Sequence, residues 1–368
     1  PVFLFGIAVS FLINLIVWHS THAIWASEQT AIRHLTSILN CAQRLKKYII
    51  PGMEDAAHEF RKLCEKLKPI KRWNSFYAMS PTTESGFITY YLRIAFQLDM
   101  ISLTQLAQFV QRNVTLVSRL YALVGEIDAC IAIASVRASL TKYAVPEFVN
   151  NPQIVIDGLA HPLIGNPVRN NIEWDKNIII TGSNASGKST FVKAIALNAI
   201  FAQSICTCWA DRFSMPRAQI ISSMALRDNV RGGDSYFIVE VKSLKRILNA
   251  LREDRLTLCF IDEILRGTNT VERVASSISL LRYLNDQNVL CIAATHDIEL
   301  TQILTMYKQH HFREEITPQG MTFSYRLLDG PCDTRNAIRL LEQMEFPPQV
   351  GVFADEMAKH FDATGKWQ

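Results

Sequence analysis

A short stretch near the middle of the chain constrains the fold more than any other part of the sequence. Residues 177–190 read NIIITGSNASGKST, in which a mostly β-branched apolar run precedes the pattern G-x-x-x-x-G-K-[ST]. The following residues, FVKAIALNAIFA, have apolar side chains at helical spacing. The glycine-bearing segment therefore lies between a predicted buried strand and a predicted helix, which is the context in which such a loop binds phosphate.

The residue types in this loop are suited to binding a nucleoside triphosphate. Gly182 and Gly187 allow the backbone to wrap closely around phosphate oxygens, and the loop amides and the helix N-terminus direct partial positive charge at the anion. Lys188 can reach the β- and γ-phosphates, and the hydroxyl of Ser189 can bind Mg²⁺. The predicted nucleotide-binding residues of the loop are Gly182, Ser183, Asn184, Ala185, Ser186, Gly187, Lys188, Ser189 and Thr190.

Length and composition limit the class of protein. The 368 residues are enough for two domains, each with its own core. The net charge of +4 is too small to indicate a nucleic-acid partner by itself. Eight scattered cysteines without a C-x-x-C pair indicate reduced thiols in a cytosolic compartment rather than disulfides or a zinc site.

Residue patterning divides the chain into three parts. Residues 1–18 carry no charge and are just long enough to cross a bilayer, so we predict a membrane segment here, with a buried core helix as the alternative. The basic residues that follow predict a cytoplasmic location for the rest of the chain. Residues 19–150 show helical periodicity and form a predicted all-α domain. Residues 151–368 alternate between strands and helices, which is typical of an α/β domain with a mostly parallel sheet and flanking helices.

The elements of the α/β part follow from apolar runs, helical spacing and turn residues. The predicted strands are 153–156, 177–181, 219–223, 256–262, 289–295 and 322–328. The predicted helices are 188–203, 236–252, 271–286, 298–306, 335–344 and 349–360.

Acidic and histidine side chains end two of these strands. The apolar run 256–261 leads directly into Asp262 and Glu263, and buried strands seldom end in adjacent acids without a function. Asp262 can hold Mg²⁺ opposite Ser189, and Glu263 can orient and deprotonate an attacking water. His296 follows the next strand, where open α/β sheets place ligand-binding residues, so we predict that it contacts the γ-phosphate or the water.

A polar segment at 228–235, DNVRGGDS, precedes the predicted helix 236–252. Ser235 could cap that helix. It could instead present its hydroxyl and the helix N-terminus to a phosphate bound by a partner subunit. The residues alone leave both interpretations open.

Six motifs, in order between about residues 100 and 368, resemble those of the MutS mismatch-repair ATPases. TGSNASGKST is similar to the phosphate loop of that family, with Ser183 in place of the usual proline. FIDEILRGTNT is similar to the family's acidic motif, with Leu265 in place of glycine, and ATHDIEL matches its histidine motif. The other three stretches are DSYFIVEVKSLKRIL at 234–248, GLAHP at 158–162 and the helical sequence at 123–135.

The resemblance implies an ABC-type α/β P-loop NTPase preceded by an all-α lever domain. It also implies a homodimer that hydrolyses MgATP and binds DNA, with each site completed by the neighbouring subunit. The implied catalytic residues are Glu263, His296 and Lys188, the implied Mg²⁺ ligands are Ser189 and Asp262, and the implied contact in trans is Ser235.

The sequence differs from the family at two features, and these limit the function that the resemblance implies. Val168 lies near the position of an aromatic residue that stacks on adenine in the family. The mismatch-reading wedge of the family is a Phe-x-Glu triplet, and the one such triplet in the sequence, at 312–314, lies in the α/β part. The chain thus resembles a membrane-tethered MutS-like branch without the mismatch-reading domain, and direct mismatch recognition is not expected.

Two other functions would share the phosphate loop. A transporter motor or a chromosome-structuring protein of the ABC type is one, but residues 225–236 lack the L-S-G-G-Q signature and only one apolar span is present. An ATP-gated membrane scaffold is the other, although Asp262 and Glu263 together favour hydrolysis. We expect a dimeric DNA-binding ATPase in repair or recombination.

Overall fold

The computed structural model of the chain divides into two compact units, residues 1–136 and 137–368. The residues that the structure describes are 2–24, 26–45, 54–70, 91–183, 186–224, 236–317, 320–332, 338 and 346–366.

The described part of the first unit is helical. Its apolar core joins residues from several helices, among them Leu39, Phe60, Leu106 and Leu120. The helices are α1 (Val2–Ile24), α2 (Ala26–Leu45), α3 (Glu54–Lys66), α4 (Leu98–Arg112) and α5 (Val114–Ser139), and the boundary between the two units falls within α5.

The structure does not support the predicted membrane segment at residues 1–18. Within the described ranges, no helix combines the length and the apolar character needed to cross a membrane. Polar contacts lie at the middle of α1, where Asn14 Nδ2 donates to the carbonyl of Ala95 at 2.8 Å. The carbonyl of Asn14 also accepts a hydrogen bond of 2.6 Å from Gln97 Nε2.

A six-stranded sheet forms the centre of the second unit. Its strands are β4 (Ile178–Thr181), β6 (Gln219–Ser223), β7 (Thr257–Asp262), β8 (Val289–Ala294), β9 (Lys308–His311) and β12 (Leu328–Asp329). Their order in the sheet is β12-β9-β4-β8-β7-β6, and the pairings are parallel except for that of the edge strand β12 with β9.

The central strands are apolar because both of their faces are covered. Ile178 and Ile180 of β4 contribute to one core cluster, together with residues of α6 (Lys188–Ile205). Ile179, which points the other way, contributes to a second cluster with residues of α7 (Tyr236–Ala250) and α8 (Thr270–Asn285). This alternation between two buried faces explains why β4, β7 and β8 are continuous apolar runs.

A smaller sheet and a hairpin complete the described second unit. The four-stranded sheet contains β1 (Glu147–Val149), β2 (Ile154–Leu159), β3 (Asn170–Trp174) and β5 (Arg212–Pro216). Their order is β1-β5-β2-β3, in which β1 pairs parallel with β5 and the other pairs are antiparallel. The remaining elements are the hairpin of β10 (Glu314–Thr317) with β11 (Gly320–Phe323), α9 (Glu299–Ile303) and α10 (Pro348–Thr364).

Two predictions from the sequence need correction. The predicted strand 322–328 is wrong, because this stretch contains the end of β11 and the beginning of β12, and these belong to different sheets. The predicted helix 298–306 is shorter, since α9 ends at Ile303. The predicted helix 335–344 lies almost entirely outside the described residues.

Candidate functional site

The parallel register places the ends of three central strands at one edge of the sheet. Ile180 of β4 pairs with Ala294 of β8, and Ala294 also pairs with Asp262 of β7. The amide of Thr295 donates to the carbonyl of Ile180 at 3.0 Å, and the amide of Glu263 donates to the carbonyl of Ala294 at 2.9 Å. The phosphate loop, the acidic pair and the histidine motif therefore start from adjacent points, as expected of open α/β sheets.

The phosphate loop leaves β4 at Gly182 through a conformation that requires glycine. Gly182 has φ +132°, and a Cβ atom at this position would lie 2.2 Å from the carbonyl oxygen of Phe312. Gly187, at the other end of the loop, has φ +108° and directly precedes α6. Both glycines thus meet a backbone requirement that other residues satisfy only with strain.

Lys188 begins α6 and folds back over the loop. Its side chain is almost fully buried, with 4% of the residue exposed. The Nζ atom donates hydrogen bonds of 2.5 and 2.7 Å to the carbonyls of Gly182 and Ser183, and lies 3.4 Å from His296 Nε2. Burial lowers the pKa of Lys188 to about 8, and the nearby carboxylates of Glu263 and Asp262 oppose this shift.

The two predicted Mg²⁺ ligands, Ser189 and Asp262, are in direct contact. Ser189 Oγ donates a hydrogen bond of 2.9 Å to Asp262 Oδ1. A hydroxyl and a carboxylate at this separation are oxygen donors of the kind that Mg²⁺ prefers. The pair therefore fits the predicted metal ligands in both chemistry and position.

Glu263 occupies a strained position beside the histidine. Its φ is +64°, in the left-handed region. Its Oε1 atom lies 3.1 Å from His296 Nε2, and its Oε2 atom pairs with the guanidinium of Arg266. Burial raises the pKa of the Glu263 carboxyl, but the His296 hydrogen bond and the charges of His296, Arg266 and Lys188 together lower it below its usual value. Glu263 is thus held as a carboxylate, the form that accepts a proton.

A cavity of about 520 Å³ opens beside these residues. Its lining includes the predicted residues Ser183, Gly187, Lys188, Ser189, Thr190, Glu263 and His296. Asp262 reaches the same site through its hydrogen bond to Ser189. Two predicted loop residues with described positions, Gly182 and Ser186, are not among those that line the cavity. Ser186 is fully buried, and its hydroxyl donates to the carbonyl of Ser183 at 2.8 Å.

Some predicted residues have no described position. Asn184 and Ala185 of the phosphate loop, and Ser235 before α7, lie outside the residues that the structure describes. Their expected roles stay predictions.

Residues outside the predicted set of site residues also line the cavity. Tyr325, whose φ is +52°, stands close to the loop, since its Cδ1 atom lies 3.1 Å from the position of a Cβ on Gly187. His161 and Asn170 come from the other sheet region, and Val168 is present as well. Asn170 Nδ2 donates to the carbonyl of Tyr325 at 3.0 Å, which connects the two sides of the cavity. Because more than 150 residues separate this pair in sequence, no local pattern indicated it.

The Phe-x-Glu triplet at 312–314 belongs to this site. The amide of Phe312 donates to the carbonyl of Thr181 at 3.0 Å, and its ring packs against Phe191 of α6 with centroids 5.5 Å apart. Glu314 accepts a hydrogen bond from Ser183 Oγ. Both side chains therefore support the phosphate loop, and the resemblance of the triplet to a mismatch-reading wedge is coincidental.

Comparison with known proteins identifies relatives of this region. Residues 178–362 match the model of the family described as MutS domain V. The DNA mismatch repair protein MutS of Pseudothermotoga lettingae is 31% identical over 254 residues, which cover 65% of this chain and 30% of the relative. That of Bacillus subtilis is 29% identical over 284 residues, which cover 73% and 32% respectively. The chain thus spans about a third of the length of these relatives.

Proposed function

Because this chain belongs to the MutS domain V family, we propose that it binds and hydrolyses MgATP in the cavity beside Lys188. The observation that carries the proposal is the meeting of the phosphate loop, the acidic pair and His296 at one edge of the sheet. We assign the ATPase to residues 151–368, together with the strand β1 (Glu147–Val149) that pairs with β5, and a helical lever domain to the helices that precede β1 from residue 19 onward.

The phosphate loop would hold the triphosphate with polar groups that hydrogen-bond to one another in the structure. Lys188 Nζ donates to the carbonyls of Gly182 and Ser183, and in the complex it would donate to β- and γ-phosphate oxygens instead. Ser189 and Asp262 would hold Mg²⁺, which when bound offsets the charge of the phosphates. The amides at the start of α6 add partial positive charge near the same anion.

Glu263 is the proposed general base. Its carboxylate would accept a proton from the water that attacks the γ-phosphate, in line with the leaving oxygen. His296 contacts both Glu263 and Lys188, so it would orient the carboxylate and respond to the presence of the γ-phosphate. Arg266 also pairs with Glu263 Oε2, so this pair would open for the attacking water to reach that oxygen.

The nucleobase would lie on the side of the cavity that Tyr325 lines. The ring of Tyr325 is partly exposed and faces the start of α6. Aromatic rings stack on bases through their flat faces, whatever the base. Tyr325 would therefore supply the stacking surface that Val168, on the upstream segment, lacks.

We propose that the active form is a homodimer in which Ser235 completes the site of the partner subunit. In the sequence, Ser235 directly precedes α7, so a helix N-terminus would accompany its hydroxyl toward the phosphate. Sandwiching MgATP between two copies would couple ATP binding to pairing and hydrolysis to release.

We further propose that the dimer binds DNA and acts in repair or recombination in the cytoplasm. The relatives above are named DNA mismatch repair proteins, and this is the support for DNA as a partner. Binding should be measured with linear, mismatched and branched DNA over a range of salt concentrations, with and without ATP. Phosphate contacts predict a fall in log affinity with log salt, and no preference for the mismatched duplex is expected. Binding that is independent of salt would count against DNA as the partner.

The ATPase itself is tested by steady-state phosphate release at saturating MgATP. We expect turnover by the parent chain and none by Lys188→Ala, since the variant loses the cation that holds the phosphates. Turnover at the same rate in both would place any hydrolysis outside this cavity.

A further inference from the structure

Ser183 joins several hydrogen bonds in the first half of the phosphate loop. Its hydroxyl donates to Glu314 Oε2. Its carbonyl accepts from Ser186 Oγ at 2.8 Å and from Lys188 Nζ at 2.7 Å. One residue therefore connects the lysine of the loop to a carboxylate that lies 131 residues further along the chain.

Glu314 is fixed in place opposite the loop. It is the first residue of β10, where it pairs with Phe323 of β11, and only 6% of it is exposed. Two residues earlier, the amide of Phe312 bonds to the carbonyl of Thr181 at 3.0 Å, directly before the loop begins. A carboxylate buried to this extent is costly unless it is hydrogen-bonded, and Ser183 supplies a donor.

The position of Glu314 argues against a direct contact with the nucleotide. Among the described residues, those that line the cavity include Ser183 but not Glu314. A negative charge also repels a triphosphate, so a carboxylate this close to the loop would weaken nucleotide binding unless it had a compensating effect. Its hydrogen bond to Ser183 provides such an effect, because it restrains the loop backbone.

We propose that Glu314 is a positioning residue that holds Ser183, and through it the phosphate loop, in the geometry that receives a triphosphate. This inference rests on the proposed function, since it concerns the same MgATP site. Glu314 acts through the Ser183 hydroxyl, so the two residues should behave as one unit.

The test compares five variants of the full chain, one of them a control, with the parent. Glu314→Ala removes the acceptor, Ser183→Ala removes the donor, and the double variant removes both. Glu314→Gln keeps an oxygen that can accept from Ser183 and should rescue much of the loss. Glu253→Ala, which removes an exposed carboxylate elsewhere, is the matched control.

The affinity for a fluorescent ATP analogue and the kinetics of phosphate release give the first measurement. We expect each alanine variant to raise the Kd and the KM by about tenfold, the loss of one charge-assisted hydrogen bond. The kcat should change by less than about threefold, because Lys188, Ser189 and Glu263 are unchanged in these variants. The double variant should be no worse than either single variant.

Additive losses in the double variant, or tighter nucleotide binding by Glu314→Ala, would overturn the inference. Tighter binding would mean that Glu314 mainly repels the phosphates.

Hydrogen exchange of the nucleotide-free protein separates this inference from the proposed function. Amides in residues 182–190 should exchange faster in Glu314→Ala than in the parent, and at nearly the parent rate in Glu314→Gln. This result is expected even if the parent hydrolyses no ATP, in which case the proposed function alone fails. Unchanged exchange and affinity in Glu314→Ala, beside an active parent, would overturn the positioning role alone.

Discussion

Ser189 Oγ donates a hydrogen bond of 2.9 Å to Asp262 Oδ1. This bond joins the first turn of α6 to the end of β7, and 73 residues separate the two side chains in sequence. The parallel sheet brings the two together, because β4, which leads into α6, and β7 both pair with β8. The fold thus brings the proposed metal ligands together.

Asp262→Asn tests this arrangement. The amide oxygen of asparagine can still accept from Ser189, so the fold should be retained, but the ligand loses its charge. We expect the Mg²⁺ concentration for half-maximal phosphate release to rise by about 10–100-fold, the usual range for a damaged metal site. Nucleotide binding measured in EDTA should be unchanged, which serves as the control. An unaltered Mg²⁺ dependence would remove Asp262 from the metal site.

Gly182→Ala tests the close approach of the phosphate loop to Phe312. The new methyl group would meet the Phe312 carbonyl oxygen at 2.2 Å, and the φ of +132° is itself strained for alanine. We expect unfolding to require about 3 kcal/mol less free energy, at the upper end for a strained backbone position. Denaturant unfolding monitored by circular dichroism measures this loss.

Gly330→Ala is the matched control for that variant. Gly330 also has a positive φ, of +87°, but a Cβ atom there would meet nothing within 4 Å. Its substitution should cost only about 1 kcal/mol, the conformational part of the effect. Equal losses at both positions would show that the contact with Phe312 is unimportant.

Tyr325→Ala tests the proposed stacking surface. The loss of a base–aromatic contact should raise the Kd for ATP by roughly tenfold, whereas Tyr325→Phe, which keeps the ring, should bind like the parent. Inorganic triphosphate, which has no base, should bind equally to all three proteins. An equal loss of affinity for ATP and triphosphate would mean that Tyr325 supports the phosphate loop rather than the base.

Mixing two inactive variants tests the role of Ser235 in the partner subunit. Consider a mixed dimer of one Lys188→Ala subunit and one Ser235→Ala subunit. If Ser235 acts in the site of its partner, one site carries both substitutions and the other carries neither. If subunits pair at random and sites act independently, an equal mixture should recover about a quarter of the parent turnover. No recovery, in a mixture shown by native mass spectrometry to contain mixed dimers, would contradict action in trans.

Strong local patterns made the centre of the site predictable from the sequence. The apolar runs of β4, β7 and β8 end in glycine, acids and histidine, and the sheet must bring such ends to one edge. The strand β9, KQHH, was missed because its polar residues show no strand pattern. It enters the sheet through its parallel pairing with β4, a tertiary effect that outweighs local propensity.

The site residues that the sequence did not indicate were missed for the same reason, because their contacts with the phosphate loop are tertiary. Tyr325 and Glu314 reach the phosphate loop from strands and turns far along the chain, so neither has a neighbouring motif that indicates its role. The predicted membrane segment at residues 1–18 depends on a local pattern, an uncharged run of sufficient length, and the structure does not support it. None of the described helices has both the length and the apolar character of a membrane span, and the helix at these residues has polar contacts at Asn14.

Phosphate release by Glu263→Ala, measured together with the affinity for the fluorescent ATP analogue, tests the central claim most directly. The claim predicts that the variant binds the nucleotide with the affinity of the parent, because Lys188 and Ser189 are unchanged. It also predicts that kcat falls by about 10²–10⁴-fold, since the general base is absent. Turnover at the parent rate in this variant would contradict the account.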